Sequence, residues 1–161
     1  MEALSNIVKK VVLKFDERDK SEVNEYQANF QSVTDHVVIM GNITYNMLVQ
    51  ISNIFKNIKS LDISGFRHEL VITSKITLPS LLSLRVNNTE QVSYFTRLMS
   101  LKYIQIACWD KRIEIDEVFD PSKILELEIG DINSFEVFPI SQFTNLRSLK
   151  WIIISLEASN L

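Results

Sequence analysis

The stretch NIKSLDISGF, residues 57–66, places Ile58, Leu61 and Ile63 at an apolar-x-x-apolar-x-apolar offset. A strand alternates strictly and a helix returns every three or four residues, so the offset belongs to neither alone. It recurs at Leu81, Leu84 and Val86, at Leu101, Ile104 and Ile106, at Ile124, Leu127 and Ile129, and at Leu146, Leu149 and Trp151. Middle positions 61, 84, 104, 127 and 149 are spaced by 23, 20, 23 and 22 residues. Weaker copies lie upstream, at Thr34, Val37 and Ile39 and at Val8, Val11 and Leu13. A unit of this size cannot bury its own apolar face, so units must stack. Stacking puts the middle residues in one column beneath a sheet, with Ile63, Val86, Ile106, Ile129 and Trp151 in the next. Parallel strands require a crossover, which the segments between copies supply.

L-x-x-L-x-L at this period, carried by NIKSLDIS, LPSLLSLRVNN, LMSLKYIQI and FTNLRSLKW, resembles the leucine-rich repeat family over nearly the whole chain. The resemblance implies an α/β solenoid: a curved parallel sheet on the concave face, with helices or irregular return segments behind it. It implies one domain over residues 1–161 of six to seven units, or a piece of a longer array. The chain departs from the family at its turn asparagine. The corresponding positions hold Phe66, Thr89, Trp109, Ile132 and Ile154, and only Asn42 matches. Such irregular repeats resemble those of intracellular recognition proteins, including substrate receptors of ubiquitin ligases.

Three return segments carry helical periodicity: Val23, Tyr26, Phe30 and Val33; Ile43, Met47, Ile51, Ile54 and Phe55; and Val92, Phe95, Leu98 and Met99. The two final return segments, IEIDEVFDPS and SFEVFPISQF, are interrupted by Pro121 and Pro139, which predicts shorter turns or loops late in the chain. Three glycines and three prolines are few for a sandwich of many hairpins.

Composition narrows the functional classes. A formal charge of −3 offers no global field for nucleic acid or for an acidic membrane. No apolar run approaches a membrane span, and no basic start leads into a signal-type apolar region. A single cysteine, Cys108, cannot form an internal disulfide, which favours a reducing, cytoplasmic setting. The sequons at Asn42 and Asn87 read as chance matches in such a setting.

Catalytic signals are sparse. His36 and His68 have no ligand spacing, and neither metal nor cofactor is expected. Cys108 follows a core strand and reads as a packed thiol. Glu114, Asp116, Glu117 and Asp120 read as a solvated return loop. Trp151 fills a core slot, whereas Trp109 is either a packed wedge or an exposed contact.

The register leaves three rows on the concave face. The first is Lys10, His36, Ser60, Ser83, Tyr103, Glu126 and Ser148. The second is Val12, Val38, Asp62, Arg85, Gln105, Glu128 and Lys150. The third is Lys14, Met40, Ser64, Asn87, Ala107, Gly130 and Ile152. Neighbouring strands lie about 4.8 Å apart, so Asp62 falls beside Arg85 and Glu128 beside Lys150. The leading expectation is a non-catalytic module that binds a protein partner through Tyr103, Arg85, Gln105, Asp62, Glu126, Glu128 and Lys150. The alternatives are the substrate-recognition part of a ubiquitin-ligase receptor, and an enzyme using the Glu126–Glu128 carboxylate pair. The apolar end LKWIII predicts self-association through the C-terminal strand.

Overall fold

The computed structural model describes residues 10–15, 35–65, 72–110, 113–132 and 138–151. The strands of the described residues form a single sheet: β1 (Lys10–Phe15), β2 (His36–Gly41), β3 (Ser60–Gly65), β4 (Ser83–Asn88), β5 (Tyr103–Trp109), β6 (Glu126–Ile132) and β7 (Ser148–Trp151). All neighbours are parallel, and their order in space is their order in the chain. Leu61 pairs with Leu84, Leu84 with Ile104, Ile104 with Leu127, and Leu127 with Leu149. The recurrent offset therefore sets the pairing register.

Backbone hydrogen bonds explain the two-residue gap within the offset. Each first-slot residue closes a tight turn onto the residue three before it. Ile58 N–H donates to Phe55 O, Leu81 to Leu78, Leu101 to Leu98, Ile124 to Pro121 and Leu146 to Phe143. The next strand is then tied to its predecessor by one shared acceptor. Asp35 O accepts from the N–H groups of both Lys59 and Ser60. Lys59, Leu82, Lys102 and Leu125 repeat this arrangement for β4, β5, β6 and β7 in turn. The turn lifts the first-slot side chain into the core, and strand alternation buries the second and third.

One face of the sheet is covered. Strand residues Val37, Ile39, Leu61, Ile63, Leu84, Val86, Ile104, Ile106, Leu127 and Ile129 are buried there against the return segments. Each such side chain contributes roughly 1.5–3 kcal/mol. The described helices shorten along the chain: α1 (Tyr45–Ile54) has ten residues, while α2 (Thr89–Val92) and α3 (Ile115–Val118) have four each. Pro121–Lys123 and Ile140–Gln142 are single 3-10 turns. Proline at the first position fits such a turn because its missing N–H would have no partner there.

The return segments differ from the periodicity in detail. In α1 the buried face is Tyr45, Leu48, Ile51, Ser52 and Ile54, and Met47 is only half-buried. Thr44 caps the helix by accepting from Met47 N–H at 3.2 Å, which fixes where the first turn begins. The segment after β4 is helical only to Val92. Phe95 instead bridges to Ile76, with Ile76 N–H donating to Tyr94 O and Thr96 N–H to Ile76 O. Arg97 then takes φ 53°, and Met99 is 56% exposed rather than part of a buried stripe.

Two expectations are corrected. Leu149 holds its register opposite Leu127 but is 44% exposed, on the last strand among the described residues. The third row breaks between β2 and β3, where Met40 pairs with Gly65 and not with Ser64. The cause is local: the Asp62 carboxylate accepts from Ser64 N–H at 3.0 Å and Ser64 Oγ at 2.7 Å, which bends β3 at its end. Val8, Thr34, His68, Phe66, Ile154, the helix expected around Tyr26 and the apolar end beyond Trp151 lie outside the described residues.

Candidate functional site

The uncovered face of the sheet carries the first two rows in the expected register. Lys10 pairs with His36, His36 with Ser60, Ser60 with Ser83, Ser83 with Tyr103, Tyr103 with Glu126, and Glu126 with Ser148. Asp62, Arg85, Gln105, Glu128 and Lys150 align one residue pair further on. A hollow of about 430 Å³ crosses this face from Lys10 to Lys150. It is lined by these two rows and by the backs of Leu84, Ile104 and Leu127. All seven residues expected to bind a partner lie along it.

Charged groups on the face interact strand to strand. Arg85 lies 3.5 Å from the Asp62 carboxylate, and Lys150 lies 3.2 Å from Glu128. Gln105 Nε2 donates to Glu128 Oε1 at 2.9 Å. The pairs hold neighbouring strands in register, and exposed pairs of this kind contribute up to about 1 kcal/mol each. Both Glu128 oxygens are thus engaged, and Glu126 is exposed one residue pair away. Tyr103 stands 40% exposed near the middle of the row. Exposed Val12 and Met40 add apolar surface on β1 and β2. His36 is half-buried. Burial, reinforced by the Lys10 charge and opposed by Asp62, holds its imidazole below the usual histidine range.

Other chemistry-bearing residues are dispersed. Cys108 lies on β5, three strands from His36, which is about 14 Å at ordinary strand spacing. Burial, with Asp110 and Asp131 adding to it, pushes its thiol up, which opposes thiolate formation. Among the described residues no three His, Cys, Asp or Glu side chains gather as a metal site would require. The acidic run divides by role. Ile115 and Val118 are buried in α3, whereas Asp116 and Glu117 face outward. Lys75 lies 2.8 Å from Glu117 and lowers its carboxyl below the usual range. The Asp120 carboxylate caps the following turn, and its hydrogen bond from Ser122 lowers its carboxyl in the same direction.

Trp109 is a packed wedge: it is 1% exposed and meets Phe138 edge-on, with ring centroids 4.9 Å apart. Its Nε1–H has no acceptor among the described residues. In the turn after β4, buried Thr89 and Gln91 supply polar groups. Gln91 Oε1 accepts from Asn87 N–H at 2.6 Å, and Thr89 Oγ1 donates to the Asp110 carboxylate at the end of the next strand. Sequence reasoning missed these polar contacts. The signal was present in NNTEQ, where Asn88 caps α2 and Gln91 follows three residues later.

A second hollow, of about 440 Å³, lies on the covered side between α1 and residues 74–79. Part of its polar lining is engaged: Tyr45 Oη bonds to Ser74, Ser52 Oγ donates to Leu48 O, and Lys75 pairs with Glu117. The sheet face is the better candidate, since it gathers charged and aromatic side chains from consecutive strands. Compared with family models, with curated proteins and with solved structures, the chain has no match. No helix among the described residues is long and apolar enough to cross a membrane.

Proposed function

We propose that the chain is a leucine-rich-repeat solenoid of the cytoplasm that binds a protein partner on its open sheet face and performs no chemistry there. The observation that carries this reading is a parallel sheet covered on one face only. All-parallel sheets ordinarily bury both faces. Here the second face is set with polar and charged side chains from consecutive strands, around a hollow with Tyr103 and Arg85 at its centre. Tyrosine and arginine concentrate binding energy at protein interfaces. Backbone donors and acceptors inside the sheet are already paired, so recognition rests on side chains.

The test uses affinity capture from cells with two triple variants. One removes Tyr103, Arg85 and Gln105 side chains to alanine on the face. The other replaces Lys56, Lys75 and Asn53 by alanine on the covered side. Partners retained by the wild type and by the second variant, but lost from the first, are expected. An unchanged partner set with the face variant would sink the reading.

A further inference from the structure

The open face is electrically polar along the direction that crosses the strands. On β1, Lys10 lines the hollow, is exposed and has no ion pair among the described residues. In the middle, Asp62 and Arg85 neutralise one another. Glu128 of β6 is neutralised by Lys150 of β7, and the Glu126 carboxylate is exposed with no ion pair among the described residues. One end of the hollow thus holds uncompensated positive charge and the other uncompensated negative charge. Tyr103 lies next to the acidic end, and Ser60 and Ser83 form a low floor between.

The lining of the hollow comes from two rows of side chains two residues apart along the strands, a separation of about 7 Å. An extended chain laid across the strands reaches both rows, because its own side chains alternate about its axis. From β1 to β6 there are five strand spacings, about 24 Å, which an extended segment spans with about seven residues. A phosphate backbone is disfavoured because Glu126 and Glu128 stand in the same hollow.

We infer that the occupant of the open face is an extended protein segment of about seven residues that crosses the strands, with an acidic side chain over Lys10 and a basic side chain over Glu126. This rests on the protein-binding reading above and adds the polarity and form of the ligand. An aromatic or aliphatic side chain of the segment packs on Tyr103.

The test uses four pools of fluorescent nine-residue peptides with a central aromatic residue and equal numbers of charges. Two pools are bipolar, acidic-to-basic and basic-to-acidic. One is wholly acidic and one wholly basic. Wild-type protein is expected to bind one bipolar pool at least about fivefold more tightly than either uniform pool. The variant Lys10→Glu is expected to transfer that preference to the wholly basic pool. Equal or tighter binding of a uniform pool, binding of no pool, or an unmoved preference in the charge-reversed variant would overturn the inference. If the Tyr103, Arg85 and Gln105 variant still loses cellular partners in that event, the protein-binding reading stands and the bipolar extended ligand alone falls.

Discussion

His36 shows how one position on the open face ties stability to pH. Its imidazole is held below the ordinary histidine value of about 6.5, first by burial and then by Lys10, with Asp62 acting in the opposite sense. The unfolded chain therefore binds a proton before the folded chain does. Stability that this residue provides is complete above about pH 6.5 and is lost as pH falls below it towards the lower folded value, then levels off. Replacing His36 with asparagine is expected to flatten the dependence of the urea midpoint on pH across this window. The comparison is wild type minus variant, because Asp120 and Glu117, whose carboxyls are lowered, lose their contribution in the more acidic carboxylate range. Identical slopes for the two proteins between pH 7 and pH 5 would show that His36 does not carry the effect.

At the level of elements, strand spacing is the constraint that small residues serve. Gly130 in β6 lies against the Ala107 carbonyl of β5, and a Cβ there would fall inside the van der Waals distance of that backbone oxygen. Backbone on a central strand cannot yield as a flexible side-chain tip would. Gly130→Ala is expected to lower stability by about 1–3 kcal/mol, read as a lower urea midpoint, through strain between β5 and β6. A midpoint within error of wild type would mean that the two strands separate there at no cost. The strands and their register were legible in the sequence because a column of Leu61, Leu84, Ile104, Leu127 and Leu149 fixes them by burial and period together. The return segments were legible only in part. Their apolar positions are buried by turns and bridges, as at Phe95, as readily as by helix, so periodicity alone does not select between them. The bend at Ser64 was hidden because it depends on one side-chain acceptor, Asp62. The open-face rows followed directly from the register, whereas their charge balance required knowing which of Asp62, Glu128 and Glu126 has a cation in reach.

Across the whole molecule, each described strand hydrogen-bonds only to its neighbours in sequence, so no contact in the sheet joins β2 to β6 directly. Stability in such an array is close to a sum of unit terms and neighbour terms. A lesion in one unit is then felt most by the units it separates from the rest. Leu127 is buried in β6 between Ile104 and the more exposed Leu149. Leu127→Ala removes side-chain volume from the column and is expected to cost about 2–5 kcal/mol. The loss falls unequally. Among the described strands β7 pairs with β6 alone, so β6 and β7 open together, while β2, β3 and β4 keep the neighbour contacts of the wild type. Hydrogen exchange followed by mass spectrometry checks this directly. The variant is expected to lose protection in peptides covering β6 and β7 and to retain it in those covering β2–β4. Uniform loss across all strands would show instead that the sheet unfolds as one cooperative block, with coupling between units stronger than nearest-neighbour pairing supplies.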